Sequence, residues 1–279
     1  MKAKKITAVI LSIVMVLLAF ASCGKKGSEE ESSAAESETV TSEAVVNDLA
    51  AVKAAGVLKV GVTEFKPIDY RDSNNEWTGF DADFAKAVAE KLGVSVEFVE
   101  IDWDSKYIEL ESNQIDCIWN GMTITDEVKS NCSVSEPYVS NKQVVVMKSD
   151  DISKYSDIKS LADAGLTFAV EAGSAGESAA KDAGLTTVEV NAQSDTLMEV
   201  KSGTADGAVI DATMAAAMTG EGTDYSDLSA GLTLTEELYG IGFRKGSDLT
   251  AVVDKYIDEL KSDGTLKTLA DKYGLSLAE

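Results

Sequence analysis

The chain has 279 residues, no histidine, three cysteines and a formal net charge of −23 at pH 7. So acidic a surface repels nucleic acid and anionic lipid, and neither is expected as a partner. Without histidine the commonest general acid–base group and metal ligand are missing, so no catalytic residue, metal or cofactor is expected.

Residues 1–22 read as an export signal. Lys2, Lys4 and Lys5 precede the apolar run Ile6 to Phe20, and the small residues Ala21-Ser22 stand before Cys23. The run is too short for a comfortable membrane span. Small residues followed by Cys resemble a bacterial lipobox, in which the cysteine becomes the lipidated first residue. Phe20 departs from that pattern, where Leu is usual. The expectation is lipidation at Cys23 and anchoring to the outer face of the bacterial cell membrane; the alternative is ordinary cleavage beside an incidental cysteine. Residues 23–47, rich in Ser and Glu, cannot bury enough surface to offset chain entropy and read as a disordered tether.

The folded part begins near Leu49. A short helix to Ala55, stopped by Gly56, leads into a strand at Leu58 to Val62 and a loop through Phe65 and Pro67. Arg71 to Asn75 is hairpin-tip chemistry. Phe84, Val88 and Leu92 share one helix face, and Gly93 ends that helix. A strand at Val94 to Ile101, a helix at Asp104 to Asn113 and a buried strand at Cys117 to Trp119 follow. The order strand, helix, strand, helix, strand indicates a parallel sheet covered by helices.

The same order then recurs: a strand at Leu166 to Val170, a helix at Glu177 to Asp182, a strand at Thr187 to Val190, a helix at Asp195 to Ser202, and a strand at Gly207 to Ile210 ending at Asp211. Leu92-Gly93 parallels Ala183-Gly184, and Asp116 parallels Asp206, each opening the third strand of its unit. The fold class expected is α/β, with two βαβαβ lobes of mainly parallel strands joined by a two-segment hinge. Residues 48–139 and 240–279 are expected to form lobe 1, and 140–239 lobe 2. Two helices close the chain, the first with Leu249, Val252, Val253, Tyr256, Ile257 and Leu260 on one face. Cys117 and Cys132 permit one disulfide, but each sits in an apolar context, and two buried free thiols are preferred.

A ligand would be expected at the carboxyl ends of the parallel strands. Asn120-Gly121-Met122-Thr123-Ile124-Thr125 is such an end: Gly121 lets a ligand approach the backbone, and Thr125 caps the next helix.

These stretches are specific. Gly79-Phe80-Asp81-Ala82-Asp83-Phe84, Gly121 to Glu127, Ser135-Glu136-Pro137-Tyr138, Lys201-Ser202-Gly203 and Tyr239 to Gly246 run in order across residues 49–275. They resemble type II extracellular solute-binding proteins of the polar amino-acid branch, the capture subunits of ABC uptake transporters. The resemblance implies a periplasmic-binding-protein-like type II fold, an amino acid or related small polar solute in the inter-lobe cleft, a membrane permease as partner, and a monomer. It also implies that Phe65 and Trp103 pack on the ligand, that Asn120, Gly121, Met122 and Thr123 line it, that Ser174 faces it from lobe 2, and that Asp211 takes its α-ammonium. One departure stands out. The family usually places Arg, which clamps the ligand carboxylate, where this chain has Val128. Backbone amides and Thr123, a cation such as Lys66 or Lys142, or a ligand without that carboxylate would each accommodate the change. Glu171 would favour a cationic or donor-rich ligand side chain if it reaches the cleft. The rival readings are a dehydratase or lyase on the same fold, with Asp211, Glu171 or Glu64 as acid, and a soluble ligand sensor.

Overall fold

The computed structural model describes residues 46–279. The expected export signal, Cys23 and nearly all of the tether lie outside the described residues. Helix α1 (Asp48–Ala55) ends at Gly56 in the left-handed region. Strand β1 (Val57–Val62) follows, then the hairpin β2 (Tyr70–Arg71) and β3 (Trp77–Thr78). Helix α2 (Phe80–Leu92) buries Phe84, Val88 and Leu92 as the periodicity predicts. After β4 (Ser95–Glu100) the chain makes a 3-10 turn at Trp103–Ser105 before α3 (Lys106–Glu111), so the single helix expected from Asp104 is two pieces. Strand β5 (Cys117–Ile118) is buried, α4 (Asp126–Asn131) is capped by the Thr125 side chain, and β6 (Ser133–Val134) completes this part.

Strand β7 (Val139–Lys148) carries the valine run into the second sheet. Two short helices, α5 (Ser149–Ile152) and α6 (Ile158–Asp163), precede the second unit. That unit is β8 (Thr167–Glu171), α7 (Ala175–Asp182), β9 (Thr186–Val190), α8 (Gln193–Ser202) and β10 (Gly207–Asp211). Helix α9 (Ala212–Met218) and the long strand β11 (Leu228–Tyr239) fill a stretch to which sequence patterning assigned nothing up to Glu236. The segment from Glu237 to Lys245 is not one strand. Gly240 donates to Met122 O, which releases the chain from β11, and β12 (Gly242–Phe243) joins the first sheet instead. Helices α10 (Leu249–Ser262) and α11 (Thr265–Tyr273) and strand β13 (Ser276–Leu277) end the chain.

The two sheets carry the same core. The first runs β4-β1-β5-β12-β6, with β1, β4 and β5 parallel and β12 antiparallel to β5. The second runs β11-β7-β10-β8-β9, with β8, β9 and β10 parallel and β7 antiparallel to β10. In each, the first strand of the unit lies between the second and the third, and an antiparallel strand follows the third. Each sheet is the centre of one lobe.

The chain passes between the sheets at two adjacent places. Tyr138 N donates to Tyr239 O at 3.1 Å, and Val139 pairs with Tyr239 at the start of the β7–β11 ladder. Strand β13 pairs the same end of β7 from its other side. Cys117 and Cys132 are both buried free thiols, and burial raises the pKa of each, to about 11 for Cys132. They fall in separate hydrophobic clusters, Cys117 with Val60 and Phe84, Cys132 with Ile118 and Met122.

Candidate functional site

All eight residues expected at the ligand line one cavity between the lobes, at the carboxyl ends of the parallel strands. It encloses about 50 Å3 and, counted out to its mouth, about 540 Å3 of empty space. Phe65 and Trp103 line it with little exposure, 3% and 8%.

The turn after β5 is held from beneath. The Asn120 amide bonds Thr63 on both its oxygen and its nitrogen and also donates to Asp69 Oδ2 at 2.8 Å. Its side chain is therefore engaged within lobe 1. Gly121 has a φ of 58°, a region that suits glycine, and a Cβ there would stand 2.9 Å from Phe65 Cε1. Gly121 N donates to Asp81 Oδ2 at 2.7 Å, and Tyr138 OH donates to the same oxygen. Met122 is buried with its terminal methyl against Gly242, so its side chain is a floor and its carbonyl accepts from Gly240. Thr123 bridges to Tyr239, tying the turn to the inter-lobe crossing.

Lobe 2 presents two buried acids. Asp211, at the end of β10, accepts from Asn141 Nδ2, from Gln193 Nε2 at 2.8 Å and from Tyr239 OH at 2.5 Å. Burial and the nearby Glu237 push its pKa well above the usual carboxylate range, against the lowering effect of these donors. Glu171, at the end of β8, accepts from Gln193 N, and burial raises it to about 7. Neither acid forms a salt bridge among the described residues. Ser174 caps α7: its hydroxyl oxygen accepts from Glu177 N at 3.0 Å, which leaves the hydroxyl hydrogen to donate.

The residue at the departure, Val128, is buried on the cavity wall. Lys66 and Lys142, the cations considered in its place, do not line the cavity. Lys66 lies over the Tyr70 ring, and Lys142 pairs with Glu236 on the surface. The cation that does line it is Lys106, which sequence reading missed. Lys106 is 4% exposed and donates to Trp103 O at 3.1 Å and, across the cleft, to Gly173 O at 2.9 Å. Burial lowers its pKa, against the pull of Glu127, Glu171 and Asp104. Its signal in the sequence was its place three residues after Trp103, one 3-10 turn on. Gln193 was also missed. It stands just ahead of a predicted helix start, and its backbone and side chain link Glu171 to Asp211.

The sequence relationships agree with this geometry. Residues 58–276 match the model for bacterial extracellular solute-binding proteins, family 3. The chain is 32% identical over 216 residues to the arginine-binding extracellular protein ArtP of Bacillus subtilis, covering 75% of this chain and 82% of that one. It is 29% identical to the L-cystine-binding protein TcyA of Bacillus subtilis, over 94% of this chain and 95% of that one. Among solved structures, an ancestral amino acid-binding protein, described as a precursor of cyclohexadienyl dehydratase, superposes with a TM-score of 0.75 at 33% identity, covering 81% of this chain and 99% of that one. A buried cleft between two like α/β lobes and a family match across nearly the whole described region lead to one conclusion: the chain belongs to the bacterial extracellular solute-binding proteins, family 3.

Proposed function

We propose that this protein captures an α-amino acid, or a closely related small polar solute, in the inter-lobe cleft and delivers it to the membrane permease of an ABC uptake system. The observation that carries the reading is Asp211: a buried carboxylate on the cavity wall with donors but no cation partner among the described residues. A buried charge of this kind needs a counter-charge to stay ionised, and a ligand ammonium supplies one. Phe65 and Trp103 offer planar faces to the rest of the ligand, and Thr123, Ser174 and the backbone at Gly121 and Met122 offer polar groups. The named ligands of relatives, arginine and cystine among them, are α-amino acids.

No chemistry on the ligand is needed. Closure of the lobes about the paired crossings near Tyr138 and Tyr239 would bury the solute, and a permease could distinguish that state. Export follows from the family; lipidation at Cys23, a tether ending before Val46, which bonds Gly246 and Asp248, and a monomeric state complete the reading. The test is a thermal-shift and calorimetric screen of the full chain against the common amino acids. A binder at about 100 times its Kd should stabilise by roughly 2.7 kcal/mol, and mass spectrometry should recover it unchanged. Silence across the panel would overturn the amino-acid reading, and a converted ligand would overturn the transport reading in favour of an enzyme.

A further inference from the structure

We infer that Lys106 is the specificity-determining cation of the cleft: it takes the α-carboxylate of the ligand from α3, in place of an arginine on α4. The inference rests on the amino-acid reading above and names a residue that reading does not use.

An ammonium has three hydrogens. Lys106 Nζ has two acceptors among the described residues, the carbonyls of Trp103 and Gly173, and both are neutral. No carboxylate of the described residues forms a salt bridge with it, although it is 4% exposed; Glu127, Glu171 and Asp104 favour its charge only from beyond bonding distance. The rings of Trp103 and Tyr107 flank it at 4.9 and 4.8 Å. A cation so desolvated, with one donor left over and a cavity beside it, is completed by an anion that enters the cavity.

The other cations have their own work. Arg244 bonds Asp48, Asp116 and two carbonyls at the far end of β5. Lys129 lines a separate surface groove. At the α4 position Val128 offers no donor beyond its backbone, and that N–H is taken by the Thr125 cap. Lys106 from lobe 1 and Asp211 from lobe 2 thus line one cavity as a buried cation and a buried acid, neither in a salt bridge among the described residues. Together they match the two ends of a zwitterion.

Because Lys106 also reaches Gly173 across the cleft, a mere latch between lobes is the competing role. The two part on ligand chemistry. Affinity of the full chain, wild type and Lys106→Met, would be measured for L-arginine, L-glutamine and L-histidine and for their α-carboxamides, which keep the ammonium and side chain but lose the anion. For whichever amino acid binds, the wild type should prefer it over its amide by about 100-fold or more, and Lys106→Met should reduce that preference to a few-fold. In wild-type protein, 15N NMR of lysine ammonium groups guards against a misfolded variant. One buried ammonium signal should shift and gain exchange protection with the amino acid and not with the amide. If wild type binds amino acid and amide alike, if Lys106→Met weakens both by the same factor, or if no lysine signal responds, the inference falls and the latch stands. If the wild type binds neither form of any of the three, the pair tested is the amino acid found by the wider panel and its carboxamide, and silence across that panel overturns the amino-acid reading itself, before the variant enters.

Discussion

The hydroxyl of Tyr239 lies 2.5 Å from Asp211 Oδ1, and both side chains are buried. Tyr239 is the last residue of β11, where the chain leaves one lobe for the other, and Asp211 is the last residue of β10. The residue at the crossing therefore donates to the acid proposed to hold the ligand. Removing the hydroxyl should leave Asp211 harder to ionise. Tyr239→Phe is expected to lower amino-acid affinity roughly 10- to 100-fold, in line with about 1.5–3 kcal/mol for a hydrogen bond to a charged group. Titration calorimetry checks this; unchanged affinity would mean that Asp211 does not bear on binding.

Asp211 itself should show opposite effects on binding and on stability. Its buried charge lacks a cation partner among the described residues, and such a charge is a burden on the fold. Asp211→Asn should cost at least 100-fold in affinity for an α-amino acid while raising the melting temperature of the ligand-free protein. A variant that melts lower and still binds would contradict the assignment.

Much of the architecture was legible because each lobe repeats one local grammar. Asp116 and Asp206 show how literal the repeat is. Asp116 N donates to Lys59 O while Asp116 Oδ2 accepts from Lys59 N; Asp206 N donates to Thr167 O while Asp206 Oδ2 accepts from Thr167 N. Each acid pins the first strand of its unit. Left-handed stops at Gly93 and Gly184 mark the same joint twice. What sequence did not show depends on tertiary partners. The strand β11 has its inward residues separated by polar ones and earns its place through a long ladder with β7. Lys106 sits in a polar, short helix, and only the approach of Gly173 from the other lobe makes it a buried cation. Asn120 and Met122 were expected to line the ligand, but nothing local shows that their side chains engage Thr63, Asp69 and Gly242.

The same pair of acids yields a stability prediction. Asp116 is half-buried and also pairs with Arg244 at 3.2 Å, whereas Asp206 is exposed. Asp206→Ala should cost about 1 kcal/mol, one strand-pinning hydrogen bond, and Asp116→Ala about 2–3 kcal/mol because it also strips Arg244 of a partner. Urea unfolding of the two variants would settle the order, and equal costs would refute it.

Glu171 should make the ligand-free protein more stable in mild acid. Burial holds its proton up to about 7, against an ordinary value of 4.5. Between those values the folded chain binds more protons than the unfolded one, so stability is fullest below about 4.5 and falls as pH rises to about 7. Asp81, also raised to about 7 by burial, acts with the same sign. Since one unit is about 1.4 kcal/mol, Glu171 alone accounts for roughly 3 kcal/mol across the window. Glu171→Gln should flatten the decline in melting temperature between about pH 5 and pH 8, bringing the variant above wild type at the upper end. A slope equal to wild type would show that Glu171 is ionised throughout.

Gly173 tests closure separately from ligand chemistry. Its φ is 69°, and a Cβ on it would lie 2.9 Å from Asp104 Oδ1 and 3.1 Å from Asp104 Cα, in the other lobe. The first contact could yield by rotating a side chain; the second is backbone and yields only if the two segments move apart by a few tenths of an ångström. An added methyl therefore presses on the lobes where they meet, while strain of the left-handed conformation adds about 1 kcal/mol within lobe 2. Gly173→Ala should lower affinity for every ligand of the cleft by a similar factor, amino acid and amide alike, because it removes closed states rather than a partner of one functional group. Small-angle scattering with saturating ligand should report a larger radius than wild type. A variant that closes and binds as wild type would show that the approach of Gly173 to Asp104 is not needed for ligand capture.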